Sequence, residues 1–277
     1  MAVNHPIGVF DSGYGGLTVL KEFLALMPEY DFVYLGDNAR TPYGTRSFDV
    51  VYEYTLEAVK RLFDEGCNLV ILACNTASAK ALRTIQQRDL PRIAPHKRVL
   101  GVIRPAVEEV AEITKNGHVG VVATSGTVAS ESYPIELEKW SGGRVRQTTQ
   151  QACPMWVPIV ENNVMGTAGA EFFIQSNLQS LFQKDPLIDS LILGCTHYPL
   201  LMDSIRKYVP HERVQLIDQG KIVARKLQDY LARHPEMDAV CTKKSGRTFL
   251  TTEDARFFES RAEQFLGQAI QADKIEL

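Results

Sequence analysis

Residues 69–76 read LVILACNT, and residues 190–197 read SLILGCTH. Each phrase is a short apolar run, a small residue, a cysteine and then a polar residue able to hydrogen-bond. Cys195 stands 121 positions after Cys74, and at that offset Val70, Ile71, Leu72 and Ala73 align with Leu191, Ile192, Leu193 and Gly194. A continuous apolar run of this length predicts a buried parallel strand, and each cysteine falls where its strand ends. Ligand sites of open α/β sheets lie at the carboxyl ends of strands. Two thiols placed alike on two similar units therefore point to chemistry that uses one acid/base group on each face of a substrate. A lone strand-end cysteine would read as a small buried hydrophobe, but packing does not call for Cys-Asn-Thr in one copy and Cys-Thr-His in the other. No C-x-x-C or H-x-x-x-H spacing occurs, and two cysteines with one histidine leave a tetrahedral zinc site short of a ligand.

Outward from these phrases the chain alternates strand, turn and helix. Ile7–Phe10 reads as a strand, Asp11–Gly16 as a turn, and Leu17, Leu20, Leu24 and Met27 recur at helical spacing. Phe32–Leu35 reads as a second strand, Thr41-Pro42-Tyr43-Gly44 as a loop, and Val51, Tyr54, Ala58 and Leu62 mark a helix stopping near Gly66. Val99–Ile103 and Val119–Ala123 read as strands that restart the programme, and GHVGVVATSGT (117–127) echoes HPIGVFDSGYG (5–15), Gly120 standing over Gly8 and Ala123 over Asp11. Val214–Ile217 and Thr248–Thr251 read as strands, and Ile222–Leu231 and Phe257–Leu266 as helices. The fold class is α/β, with two pseudo-symmetric domains, each a mostly parallel sheet flanked by helices. The first domain is expected over 1–98 plus 213–277 and the second over 99–212.

Composition narrows the function. The chain has 277 residues, a net charge of −3 and no long Lys/Arg run, so neither nucleic acid nor an anionic membrane is an expected partner. No run of about 18 apolar residues exists to span a membrane. The opening MAVNHPIGVF lacks a charged region followed by a long apolar stretch, so no secretory signal is expected. Five irregularly spaced cysteines fit a reduced, cytoplasmic protein. The glycines at 13, 15 and 16 miss the dinucleotide spacing G-x-G-x-x-G, and the Asp11–Gly16 turn reads instead as backbone N–H groups facing a small anion.

Two groups on opposite sides of a cleft can remove a proton from an unactivated Cα carbon and return one on the other face, which inverts the centre. Thiols suit this because a free thiol titrates near pH ~8.5. Each cysteine is expected at a strand-to-helix turn, where a helix N-terminus favours the thiolate. His197 can exchange a proton with Cys195. Asp11, at a neighbouring strand end, is a proton relay toward Cys74 or an orienter of a substrate ammonium, since a carboxylate raises the pKa of a nearby thiol. Ser12, Asn75, Thr76 and Thr196 are short hydrogen-bonders for substrate carboxylates, or helix caps.

With these residues in view the chain resembles the glutamate racemases, cofactor-independent members of the aspartate/glutamate racemase superfamily. The matching phrases are GVFDSGYGGLTVL (8–20), YLGDNARTPYG (34–44), ILACNTASA (71–79), ATSGTVAS (123–130), ACPMWVPIVE (152–161) and LGCTHYPLL (193–201). The resemblance implies two α/β domains with the site in the cleft between them, interconversion of L- and D-glutamate that supplies D-glutamate for peptidoglycan, and no pyridoxal phosphate, metal or other cofactor. It implies that Cys74 is the base toward D-glutamate and Cys195 the base toward L-glutamate, with Asp11, Glu161 and His197 in auxiliary positions. Asp11-Ser12, Tyr43-Gly44, Asn75-Thr76 and Thr196-His197 match the substrate-binding pairs, with Thr127 as a further contact. A homodimer is expected. Met155-Trp156 departs from the family's more usual aliphatic-aromatic pair, and Glu161 on its own reads as a helix N-terminal carboxylate. A racemase of another amino acid such as aspartate is the nearest alternative. A thiol redox protein would need a C-x-x-C that is absent, and a two-lobed periplasmic-type binding protein would not need paired cysteines.

Overall fold

Ten strands form two wholly parallel sheets among the described residues, which are 5–210 and 212–277 of the computed structural model. The first sheet holds β1 (Ile7–Asp11), β2 (Phe32–Gly36), β3 (Leu69–Leu72), β4 (Arg98–Gly101), β9 (Arg247–Thr251) and β10 (Asp273–Lys274), in the order β10-β9-β2-β1-β3-β4. The second holds β5 (His118–Ala123), β6 (Gln147–Ala152), β7 (Ser190–Gly194) and β8 (Gln215–Ile217), in the order β6-β5-β7-β8.

The order β2-β1-β3-β4 recurs as β6-β5-β7-β8, and the register recurs with it. Gly8 faces Val70 across β1 and β3, and their sequence counterparts Gly120 and Leu191 face each other across β5 and β7. Both glycines stand where the sheet is crowded. A Cβ on Gly8 would lie 3.1 Å from Cys67 Sγ and Val70 Cγ2, and one on Gly120 would lie 3.1 Å from Ile188 and Leu191.

The repeat corrects two assignments. The strand expected at Val99–Ile103 to open the second domain is β4, which pairs with β3 in the first sheet. The strand expected at Val214–Ile217 to return to the first domain is β8, which pairs with β7 in the second sheet. The boundaries at 98/99 and 212/213 therefore each fall one strand too early: the chain leaves the first sheet after Gly101 and the second after Ile217. In a repeat of this order the fourth strand closes its own sheet, and apolar patterning alone does not say which edge it joins. The strand β6, QTTQQA, carries no apolar signal because it is a mostly half-exposed edge.

Period-two alternation puts opposite faces of the strands into different cores. Ile7, Val9, Leu69 and Ile71 share one cluster with Val122, Leu191 and Leu193 of the second sheet, so a single apolar core joins the two halves. Phe10, Val70 and Leu72 face a cluster confined to the first half, and Val119, Val121 and Ile192 belong to a third. The helices Gly16–Leu26 and Gln219–Arg233 pack on one another within the joining core, and Ala255–Leu266 packs on Gly16–Leu26. Among the described residues no helix is long and apolar enough to cross a membrane.

The C-terminal helix is held by rings. Phe258, fully buried, stacks on Tyr14 at 5.5 Å and on Tyr34 at 6.2 Å, and Phe265 stacks on Tyr14 at 5.7 Å. Phe258→Ala leaves a ring-sized cavity between the first sheet and this helix. It is expected to cost ~3–5 kcal/mol of unfolding free energy, read as a lowered urea midpoint at unchanged m-value.

Candidate active site

The carboxyl ends of β1, β3, β5 and β7 converge on one cavity of about 110 Å³. Its wall includes Asp11, Ser12, Tyr43, Gly44, Cys74, Asn75, Thr76, Cys195, Thr196 and His197. Ten of the residues expected from sequence to form the site thus line a single space, with both thiols among them. Neither thiol is in a disulfide.

Cys74 lies two residues beyond β3 and is the N-cap of the helix Asn75–Lys80, its Sγ accepting the Ala77 N–H at 3.4 Å. The thiol donates to Ser12 Oγ at 3.4 Å. Burial, and then the Asp11 carboxylate, push its pKa up to about 12, against the smaller opposing pull of the Ser12 and Ala77 contacts. Asp11 makes no hydrogen bond to Cys74; its Oδ2 accepts the Gly13 N–H at 2.9 Å. Burial raises the pKa of Asp11, and the nearby His197 opposes that shift.

Cys195 is built differently. The element after it is a short 3-10 turn, Tyr198–Leu201, so the expected helix N-terminus is present only at Cys74. In its place Cys195 Sγ lies 3.8 Å from His197 Nδ1, and His197 Nε2 lies 2.9 Å from Glu161 Oε1. Burial disfavours the imidazolium of His197, but its hydrogen bonds to Cys195 and Glu161 outweigh burial and lift its pKa to about 10. Glu161 is the last residue of the helix Trp156–Glu161, so it does not stabilise a helix N-terminus. It stands outside the cavity wall, and its backbone carbonyl accepts from Arg261 of the C-terminal helix. Trp156 is fully buried edge-on against Tyr198 at 4.8 Å, while Met155 is exposed.

Two further expectations change. In the glycine turn the N–H of Gly13 is taken by Asp11, so that group does not face a ligand. Its glycines serve close approach instead, since a Cβ on Gly15 would sit 2.3 Å from Thr196 Oγ1 and 2.5 Å from His197 Nδ1. Thr127 is fully buried behind the wall, where its Oγ1 reaches Thr76 Oγ1 at 3.3 Å and Thr124 Oγ1 at 3.1 Å, so it supports the wall and does not form it. Sequence reasoning missed Thr41, Pro42 and Thr45 on the loop beside Tyr43, and Thr124, Ser125, Pro154, Val157 and Pro158, which together complete the lining. Thr124 was findable, because the internal repeat that sets Ala123 over Asp11 sets Thr124 over Ser12. Among the described residues no group of three or more His, Cys, Asp or Glu side chains is arranged to hold a metal ion.

The chain is similar in sequence and fold to known proteins. The profile of the family described as Asp/Glu/Hydantoin racemase matches residues 18–227. The chain belongs to this racemase family. The glutamate racemase of Roseobacter denitrificans is 42% identical over 96% of this chain and 98% of its own length. That of Streptococcus agalactiae is 37% identical over 99% of each. Among solved structures, glutamate racemase isoform RacE1 of Bacillus anthracis superposes with a TM-score of 0.88 at 34% identity, covering 99% of this chain and 98% of that one. Glutamate racemase of Francisella tularensis, solved in complex with D-glutamate, gives 0.86 at 33% identity, covering 99% and 98%. An aspartate racemase of Picrophilus torridus shares the fold alone, at 16% identity and a TM-score of 0.53. As a member of the racemase family the chain is an isomerase, on the α/β scaffold expected from its sequence.

The proton on His197 gives a pH signature. The folded pKa of about 10 lies above the ordinary 6.5, so the contribution of His197 to stability is complete below pH 6.5 and is lost as pH rises through 10. The stability difference between wild type and His197→Asn should therefore be largest below that window and shrink across it. Urea titrations at a series of pH values measure it.

Proposed function

We propose that the protein interconverts L- and D-glutamate by a two-thiol, two-base mechanism, with Cys195 the base toward L-glutamate and Cys74 the base toward D-glutamate. The observation that carries this reading is that equivalent strand ends of two repeated sheets deliver one thiol each to a single cavity. In the L to D direction the Cys195 thiolate takes the Cα proton on one face. The Cys74 thiol, kept protonated by burial and by Asp11, gives its proton to the carbanion on the other face. The two sulfurs end with their protonation states exchanged. Between turnovers His197 passes its proton from Nε2 to Glu161 and takes that of Cys195 at Nδ1, and Cys74 regains a proton through the Ser12 hydroxyl, which takes one from solvent.

Among the described residues no lysine or arginine lines the cavity. The two substrate carboxylates are assigned to neutral donors, the amide of Asn75 and the hydroxyls of Ser12, Thr76 and Thr196, with Tyr43-Gly44 closing over them. Asp11 is assigned to the substrate ammonium. Every proton moves between a sulfur and the substrate Cα or between a sulfur and its neighbouring groups, so the reaction as proposed uses neither metal nor cofactor. Full-length similarity to glutamate racemases, against a fold-level likeness to aspartate racemases, favours glutamate over aspartate. The reading includes a cytoplasmic role supplying D-glutamate for peptidoglycan. It also includes a homodimer, which the exposed Phe172–Phe173 pair supports as an apolar contact.

Cys74→Ala and Cys195→Ala are each expected to abolish racemisation with the fold intact, since a two-base site fails when either base is lost. Incubating wild type with L-glutamate in deuterated water should place deuterium at Cα of the D-product. Circular dichroism and mass spectrometry read both outcomes, and full turnover by either variant would refute the two-thiol reading.

The half-sites are chemically unequal. His197→Asn should slow the L to D direction more than exchange at the Cys74 face, and Asp11→Asn should show the opposite bias. The overall equilibrium cannot move, so the bias must appear in separate kcat values with compensating KM. Initial rates in both directions test this, and equal slowing of all steps by both variants would contradict it.

A further inference from the structure

Behind the cavity wall a buried chain of hydrogen bonds crosses three segments of the sequence. Gln219, the first residue of the helix Gln219–Arg233, donates through Nε2 to the hydroxyl of Tyr133. Tyr133, on the helix Ser132–Trp140, donates that hydroxyl to Asn75 Oδ1 at 2.7 Å. Tyr133 is fully buried, and Asn75 and Gln219 are nearly so. Asn75 lines the cavity, but neither Tyr133 nor Gln219 does.

The polarity of this chain has a consequence for Asn75. A phenol owns one proton, and while Gln219 donates to its oxygen that proton goes to Asn75. The carbonyl end of the Asn75 amide is then occupied, and its Nδ2 is buried without a protein partner, as is Gln219 Oε1 at the other end of the chain. A buried N–H group left unpaired costs free energy, so the site gains most from a ligand that supplies an acceptor there. Without the relay the amide could turn over and offer its oxygen instead, which would suit an ammonium. With the relay it presents only N–H, which suits a carboxylate.

We propose that Tyr133 and Gln219 are positioning residues that lock the Asn75 amide with its N–H group toward the substrate, so that this corner of the cavity accepts a carboxylate and refuses an ammonium. The assignment rests on the reading of the cavity as an amino-acid racemase site. Both residues act through Asn75 and touch no reacting atom.

The test is steady-state racemisation of glutamate, followed by circular dichroism, in wild type and four variants. Tyr133→Phe is expected to raise KM roughly tenfold with kcat little changed, the pattern of a lost binding contact. In an Asn75→Ala background the same substitution should have no further effect, because its route of action is gone. Gln219→Glu reverses the relay: the new carboxylate takes the Tyr133 proton, the phenol oxygen accepts from Asn75, and the amide turns its carbonyl to the substrate. KM should then rise at least as much as in Tyr133→Phe, although Tyr133 is intact. An unchanged KM in Tyr133→Phe or in Gln219→Glu overturns the assignment. So does a Tyr133→Phe penalty that persists undiminished beside Asn75→Ala, which would mark a purely structural role. If Tyr133→Phe does not fold, as thermal melting will show, Gln219→Glu decides alone. A wild type that does not racemise glutamate would instead refute the functional reading itself.

Discussion

The close approach of two turns is the constraint on which the site depends. The glycine turn after β1 lies so near the Thr196-His197 turn after β7 that a methyl group on Gly15 would overlap Thr196 Oγ1 and His197 Nδ1. Thr18 Oγ1 donates to the Thr196 carbonyl at 3.0 Å and to the Gly15 carbonyl at 2.8 Å, tying the two turns together. On the opposite rim Gly44 also approaches Thr124 closely, a Cβ there falling 2.9 Å from Thr124 Cβ. These contacts, with the apolar core shared by both sheets, bring the ends of β3 and β7 to one cavity. Without them the thiols would be two buried cysteines on two separate sheets.

The repeat delivers position, and the departures from it deliver chemistry. Both sulfurs follow the third strand of a four-strand unit. Cys74 has a helix N-terminus, a serine hydroxyl and a buried carboxylate nearby, and it holds its proton to about pH 12. Cys195 has an imidazole in turn held by Glu161, and that imidazole keeps its proton to about pH 10. The scaffold thus repeats while the groups that set the proton affinity around each sulfur do not.

Support for these groups comes from a distance in sequence. Arg261 of the C-terminal helix holds the backbone of Glu161, and Gln219 reaches Asn75 through Tyr133. Asp37, buried beneath the loop 41–45, accepts from Tyr43, from Arg40 at 2.7 Å and from Thr252 at 2.9 Å, fixing the rim that carries Tyr43 and Gly44. The return of the chain to the first sheet after Ile217 thus does more than complete a core: it braces both half-sites.

The sequence by itself determined the α/β class, the repeated strand-Cys phrase and the strand-end part of the cavity wall, because apolar runs and strand-end turns are local signals; Tyr43 and Gly44 came only from the family resemblance. It also located His197 beside Cys195, since two residues apart in a turn are neighbours in any fold. It did not determine which sheet takes Val99 and Val214, because an edge strand reads the same on either side. It did not show that Gly13 spends its N–H on Asp11, that Thr127 stands behind the wall, or that Glu161 closes on His197 from 36 positions away. Nor could it set the direction of the Gln219–Tyr133–Asn75 chain, whose members meet only once both sheets are packed. Those were decided by tertiary structure, because hydrogen-bond direction, burial and the resulting proton affinities depend on which distant groups share a dry space.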